Sequence, residues 1–407
     1  MLTQCRMCGS ADLHAYLDLG ATPLADAFVK QPDIAEPYFP LAVQYCAECS
    51  LSQLTVVVDP RLMFGDYCYR SSISGPFRDH CRGLVQACAD RLGTVKAALA
   101  VDIASNDGCL LSAFREAGSR VLGVEPARNI ARIAEEGGIP TVSRFWCREV
   151  AEAIRRDTGP ARVITGTNVF AHVDDVGDFV ESVAALLDDT GIFVLEFPHM
   201  VDLVRHSEFD TIYHEHLSYF LLRPLVRLFE RYAMTIFDVE KVAIHGGSLR
   251  VFAKKTSHTA LPVRDSVQAI LAEEETLGFY RLATYHRFAD RVATVRRSLT
   301  DFFTEIVAAK KTVVGYGATA KGNTLLNCCR IGPEHLAMII DETPQKQGLF
   351  TPGRNIPIRG REALEGAAFD YMLILAWNYK DAIMRKTEAF RRRGGKYIIP
   401  IPEVTVL

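Results

Sequence analysis

Apolar positions along this 407-residue chain fall into three regimes. Up to about residue 65, short apolar runs are broken by prolines and two Cys-x-x-Cys pairs, which predicts a small β-rich module. From Ala97 to Lys255, apolar runs of strand length alternate with helical spacing. Strands are expected at 98–103, 120–125, 162–167, 191–197 and 249–254, with helices at 127–136 and 176–187 among them. Such alternation predicts a parallel, doubly wound sheet. Residues 256–310 carry Ala, Arg, Glu and Leu at helical spacing and read as a helical bridge. A second α/β unit follows, with a strand at 311–317 running into a glycine turn and further strands at 338–341 and 371–375. The fold class is therefore α/β, with domains expected at 1–66, 67–255 and 256–407.

Length supports this division, because 407 residues exceed what one core holds. A net charge of −3 argues against a general nucleic-acid or anionic-membrane surface. No stretch is long and apolar enough to span a bilayer, and no secretory leader is expected ahead of Cys5. Eleven cysteines do not form a disulfide framework, so the cytoplasm is the expected compartment. The chain reads as a monomer, with oligomeric state left open.

Cys5 and Cys8 form one knuckle, Cys46 and Cys49 another, with 37 residues between them. Two such knuckles close one tetrahedral Zn²⁺ site, and four thiolates leave no open position, so the metal is structural. A strand ending at Val101-Asp102-Ile103 opens into Ala104-Ser105-Asn106-Asp107-Gly108, and the next strand ends at Glu125. Small residues let the backbone approach a ligand at the carboxyl end of a sheet, and the acid can accept both ribose hydroxyls of an adenosine. This alone does not separate NAD from S-adenosylmethionine (SAM). Only Gly108 remains of a dinucleotide pattern, while SAM has no phosphate for Asn106 and Asp107 to crowd.

Asn168 to Val173 follow the 162–167 strand and place Asn168 and His172 at the ligand edge. Glu208 to Phe220 form a dense run of Tyr, His and Glu without amphipathic logic. His216 can serve there as a general base, with Glu215 or a tyrosine tuning it. An aromatic, hydroxyl-rich patch at 64–72 includes Tyr67 and Ser72. Gly315 to Thr324 follow a strand, and Lys321 beside backbone amides fits a diphosphate; Asp341 ends the next strand. That turn suits either a dinucleotide or a sugar nucleotide.

These segments, in this order, resemble the three-domain SAM-dependent sugar C-methyltransferases, which act on nucleotide-linked 4-keto-deoxysugars at C-3. The resemblance covers nearly the whole chain. It rests on the four cysteines, Tyr67 with Ser71-Ser72, Ser105-Asn106-Asp107-Gly108, Asn168 to Val173, Tyr213-His214-Glu215-His216, His245-Gly246-Gly247-Ser248-Leu249-Arg250, and Gly315 to Asn323. Ala104 stands where the family often has glycine. The resemblance implies a zinc module, a central Rossmann-like methyltransferase domain binding SAM, and a C-terminal Rossmann-like domain contacting a nucleotide-diphosphate sugar. It also implies His216 as the base at C-3, with His172 and Tyr213 holding the C-4 oxygen, Glu215 orienting or relaying, and Tyr67 bounding the sugar. SAM contacts fall to Asp102, Ser105, Asn106, Gly108, Glu125, Asn168 and Ser72. Nucleotide contacts fall to Lys321, Asn323 and Asp341. The rivals are an NAD-linked sugar-nucleotide oxidoreductase and a zinc scaffold that binds sugar nucleotide without turnover.

Overall fold

A computed structural model describes residues 2–32, 34–64, 72, 75–244 and 246–407. Tyr67, Ser71 and His245 lie outside the described residues. The first segment pairs β1 (Leu13–Thr22), β2 (Phe39–Cys46) and β3 (Ser52–Leu54) antiparallel and ends in α1 (Pro60–Phe64). On β2, Leu41, Val43 and Tyr45 alternate onto the buried face, as the two-residue period of a strand requires.

After α2 (Gly75–Leu92) comes the alternating region: β4 (Leu99–Ile103), α3 (Cys109–Glu116), β5 (Arg120–Val124), α4 (Arg128–Glu136), β6 (Thr141–Val142), α5 (Arg148–Thr158), β7 (Ala161–Thr167) and α6 (Val176–Leu186). β8 (Leu187–Pro198), α7 (Met200–Arg205), β9 (Ser218–Tyr219), α8 (Leu222–Arg231), β10 (Met234–Val242) and β11 (Ser248–Lys255) complete it. Seven strands form one sheet in the order β10-β11-β8-β7-β4-β5-β6. The strand expected at 249–254 is present as β11, but it runs antiparallel to both neighbours. Apolar periodicity signals a strand and is silent on its direction. From β4 the chain winds outward through β5 and β6, then returns to place β7 on the other side of β4. The crevice beyond the carboxyl ends of β4 and β7 is the switch point where such sheets bind ligands.

β9 leaves this sheet and pairs with β3 of the first segment. The zinc-bearing sheet and the central domain are thus stitched by main-chain bonds. α9 (Asp265–Thr276) and the 27-residue α10 (Leu282–Ala308) form the bridge. The fully buried Glu274 of α9 accepts the Leu222 amide at 2.6 Å, the Tyr280 hydroxyl at 2.7 Å and His199 Nε2 at 3.0 Å, which pins α9 to the start of α8. On α10, Tyr285, Phe288, Val292, Val295, Leu299, Phe303 and Ile306 recur every three or four residues, the stripe of an amphipathic helix. Tyr285 packs 5.0 Å from Tyr16 and 4.8 Å from Tyr45 of the first sheet.

The last unit runs β12 (Val313–Tyr316), α11 (Ala320–Cys328), β13 (Ile339–Ile340), β14 (Ile358–Arg359), β15 (Tyr371–Ile374), α12 (Lys380–Lys386), α13 (Glu388–Arg392), β16 (Lys396–Ile399) and β17 (Thr405–Val406). Its sheet order is β14-β13-β12-β15-β16-β17, parallel except for β17. One continuous apolar core runs from Leu41 and Val43 through Met200 and Ile212 to Phe303 and Leu373, so all three segments share it. Among the described residues, no helix is long and apolar enough to cross a membrane.

Candidate active site

The two cysteine knuckles fold alike. The Gly9 amide returns to the Cys5 carbonyl at 2.8 Å, and the Ser50 amide to the Cys46 carbonyl at 2.9 Å. Gly9 and Ser50 both take left-handed backbone, φ 78 and 71, so the second knuckle bears a strain the first avoids. Pairing of Leu13 with Cys46 sets the knuckles side by side. The four Sγ atoms lie within 4.8 Å of one another, with Cys5–Cys49 at 3.5 Å and Cys8–Cys46 at 3.6 Å. A Zn–S bond of about 2.3 Å sets tetrahedral edges of about 3.8 Å, so the donor set fits Zn²⁺.

At the switch point, three residues of the turn after β4 are left-handed: Ala104 (φ 57), Asn106 (φ 50) and Gly108 (φ 77). Alanine in this conformation costs about 1 kcal/mol against glycine. A Cβ on Gly108 would lie 2.8 Å from Ile139, so the turn sits tight on its neighbour. Gly123 serves the same end, since a Cβ there would lie 2.4 Å from Ser105 Oγ. The Glu125 carboxylate accepts the Asn106 and Ala127 amides, each at 2.9 Å, and keeps further lone pairs for a ligand. Burial pushes Asp102 up to about 7 against a 2.6 Å bond from Thr165, and a bound cation would favour its ionised form. The Ser72 amide donates to Asp107 at 3.1 Å, which brings that segment onto the turn. Ser105 Oγ and Asn168 Oδ1 are buried without a hydrogen-bond partner. Orphaned polar atoms beside two buried acids suit a polar, cationic adenosyl ligand, so the expected residues fit SAM.

The Glu208–Phe220 run reaches this crevice because the chain, after β8 and α7, loops back to form β9. The Leu217 amide bonds the Ala171 carbonyl at 2.7 Å, which brings His216 beside His172. Their rings stack at 5.2 Å; Tyr213 lies 4.1 Å from His216, and Phe64 of α1 stacks on His172 at 5.3 Å. His216, Ala171, Thr211, Ser218 and Tyr219 help line a cavity of about 20 Å³. His216 Nδ1 lies 2.7 Å from the Thr211 carbonyl oxygen. A carbonyl only accepts, so the neutral ring carries its proton on Nδ1 and its lone pair on Nε2. Burial pushes His172 down to about 4, which keeps it neutral near pH 7.

Two members of the run make contacts away from His216. His214 donates to the Pro40 carbonyl at 3.2 Å and meets the edge of Phe39, so it ties the run to β2. Glu215 does not make the bond that orients His216; the Thr211 carbonyl makes it. Glu215 is buried and faces Asp26 of the first segment, and burial with that neighbour raises its pKa well above the usual range. Gly246 and Gly247 are required by close approach, since a Cβ on the first would lie 2.3 Å from Glu208 and on the second 2.5 Å from Asp202.

The C-terminal glycine turn faces the same run. Lys321 lies 3.3 Å from Glu208 and 5.3 Å from the Trp377 ring, and the Trp377 indole donates to Asp210 at 2.7 Å. Asn323 and Asp341, expected on the nucleotide, also bond within the protein. Asn323 donates to the Ala25 carbonyl at 2.7 Å, and Asp341 accepts the Ala318 and Thr343 amides, both at 2.8 Å. Thr211 and Glu208 lie in the run singled out in the sequence but were given no role there, and Trp377 had no sequence signal. The first acts through its backbone, while Glu208 meets Lys321 and Trp377 meets Asp210, each across more than a hundred residues.

Family models match three stretches: a zinc binding domain over residues 5–64, a methyltransferase domain over 78–236, and a C-methyltransferase C-terminal domain over 243–402. The C-methyltransferase NovU of Streptomyces niveus is 40% identical over 408 residues, covering 100% of this chain and 97% of that protein. The chain belongs to the C-methyltransferases. Solved structures overlap it weakly. Magnesium protoporphyrin IX methyltransferase of Synechocystis, with bound SAM, is 13% identical over 47% of this chain and 88% of its own, at a TM-score of 0.33. The PH0226 protein of Pyrococcus horikoshii is 14% identical over 49% and 96%, at 0.36. As a SAM-dependent C-methyltransferase, this protein forms a carbon–carbon bond, and its zinc site is the Cys5, Cys8, Cys46 and Cys49 cage.

Proposed function

We propose that this C-methyltransferase methylates C-3 of a nucleotide-linked 4-keto-deoxyhexose, with His216 as the base that removes the C-3 proton. The observation that carries the reading is the His216 Nδ1 bond to the Thr211 carbonyl, because it fixes the lone pair on Nε2 and aims the ring from behind. A carbon beside a ketone becomes acidic when its enolate oxygen is held. His172, neutral and stacked on His216, and Tyr213, packed on the same ring, are the donors to hold the C-4 oxygen. Tyr67 bounds the sugar in this reading, and Glu215, kept as a neutral acid, faces away from the proton transfer. Asp102, Ser105, Asn106, Gly108, Glu125, Asn168 and Ser72 hold SAM, which supplies an electrophilic methyl group when bound. Lys321 is the charged group left for a diphosphate, at the junction of the C-terminal turn with the catalytic run; Asn323 and Asp341 keep that turn in shape. The protein's main contribution is to bring donor and acceptor carbons to about 3–3.5 Å.

The test is incubation of the zinc-loaded protein with SAM and a panel of 4-keto-6-deoxy sugar nucleotides, read by mass. One added methylene on the sugar, mapped to C-3, is expected. Transfer to oxygen, or to no member of the panel, contradicts the reading.

A further inference from the structure

Two thiols with no part in this chemistry meet beside the cofactor turn. Cys81 lies on α2, and Cys109 is the first residue of α3, directly after Gly108. Their Sγ atoms are 4.0 Å apart, in van der Waals contact. Cys81 is buried with Leu110, Ala113 and Phe114 where the two helices pack, while Cys109 is half-buried. Cys109 sits at a helix N-terminus with Arg78 nearby, which favour a thiolate, against burial, Asp107 and Asp102, which oppose it. Its titration is drawn down chiefly by Cys81, and that of Cys81 is driven up chiefly by Cys109. An accessible attacking thiol with a buried partner in contact is the arrangement of a redox-sensing pair.

We propose that Cys81 and Cys109 are a reversible oxidation site whose disulfide weakens SAM binding, with a peroxide as oxidant; the effect on SAM rests on reading Ser105–Gly108 as the cofactor turn. The Cys109 thiolate attacks one peroxide oxygen, the O–O bond breaks, and hydroxide leaves to become water. Cys81 then attacks the sulfenic sulfur, and the departing hydroxide takes the Cys81 proton as a second water. Two thiols and one hydrogen peroxide become one disulfide and two waters. In this proposal, closing the gap from 4.0 Å to about 2.05 Å draws the two helix segments together. α2 is anchored, because the neighbouring His80 lies 2.6 Å from the fully buried Glu196, which also binds Arg250 at 2.9 Å. Movement therefore falls on the start of α3. There Gly108 leaves no room for even a Cβ against Ile139 and the Asn106 amide is tied to Glu125, so movement of the helix start carries the cofactor turn with it.

The test treats full-length, zinc-loaded protein with graded hydrogen peroxide and follows peptide masses, zinc release and SAM affinity by calorimetry. A Cys81–Cys109 peptide lacking two hydrogens should form before zinc is released. SAM affinity should fall at least about fivefold, the lower end of usual site-to-site coupling, and return with dithiothreitol. Cys109→Ser should bind SAM like reduced wild type and resist peroxide; Cys81→Ala, if it folds, should do the same. Absence of the linked peptide, a link from Cys109 to any other cysteine, unchanged affinity in the linked protein, or equal loss in Cys109→Ser overturns the proposal. Reduced Asp102→Asn serves as reference. If it binds SAM as wild type does, the reading of the turn fails; if it binds weakly while the linked protein binds normally, only the oxidation proposal fails.

Discussion

The His216 imidazole is held by a backbone oxygen, so its tautomer does not depend on a neighbouring carboxylate. Replacing it with alanine removes the proposed base. His216→Ala should lower kcat by about 10²–10⁴-fold, the usual worth of a positioned base, with SAM affinity unchanged. Steady-state rates and a SAM titration check this, and a variant as fast as wild type contradicts it. His172 gives a second prediction. Its pKa is about 4 in the fold and about 6.5 in an unfolded chain. Between those values the unfolded chain takes up a proton that the folded one refuses. Folding stability from this site is therefore intact above pH 6.5 and falls as pH drops towards 4. Denaturant unfolding at pH 5 and 7.5 should show a smaller acid loss in His172→Gln than in wild type. Zinc-thiolate protonation affects both proteins alike and cancels in the comparison. In the sequence His172 stood out by its place after a strand, and His216 by its place in the dense Tyr, His and Glu run. The tautomer of His216 was not legible, because Thr211 acts through a carbonyl that every residue carries. Asp341 was legible as an acid ending a strand, but its bonds to the Ala318 and Thr343 amides were not, because an acid there can serve a ligand, its own turn or both.

At the scale of elements, the zinc cage controls more than its own knuckles. β3 begins three residues after Cys49 and pairs with β9, which begins two residues after His216. Loss of the metal should release the β3–β9 ladder and, with it, the position of His216. Zinc removal by a chelator, or Cys49→Ala, should lower the melting temperature and abolish methyl transfer together, since structural zinc contributes folding energy outright. Zinc content, thermal unfolding and activity on one sample check this; full activity in zinc-free protein contradicts it. The knuckle spacing, the strands at the centre of the middle sheet and the α10 stripe were all readable from local pattern. β9 was not, because two residues carry no periodicity. The direction of β11 was not, because orientation is set by a partner strand and not by alternation along its own.

Across the whole molecule, the proposed site lies where three segments meet. Asn323 ties α11 to the first module, Lys321 and Trp377 reach Glu208 and Asp210, and His214 reaches β2. The order of parts was legible because two α/β alternations and a cysteine module are long-range patterns. Their mutual packing was not, since a shared core leaves no mark on any one segment. In this account the junction exists to generate a carbanion next to a ketone and to shield it until it is alkylated. The most direct test needs no methyl donor. A 4-keto-6-deoxy sugar nucleotide that the enzyme accepts is incubated in D₂O with enzyme and S-adenosylhomocysteine, and deuterium at C-3 is read by NMR. Wild type should wash in deuterium at C-3, and His216→Ala should not. Exchange that persists undiminished in His216→Ala would contradict the account.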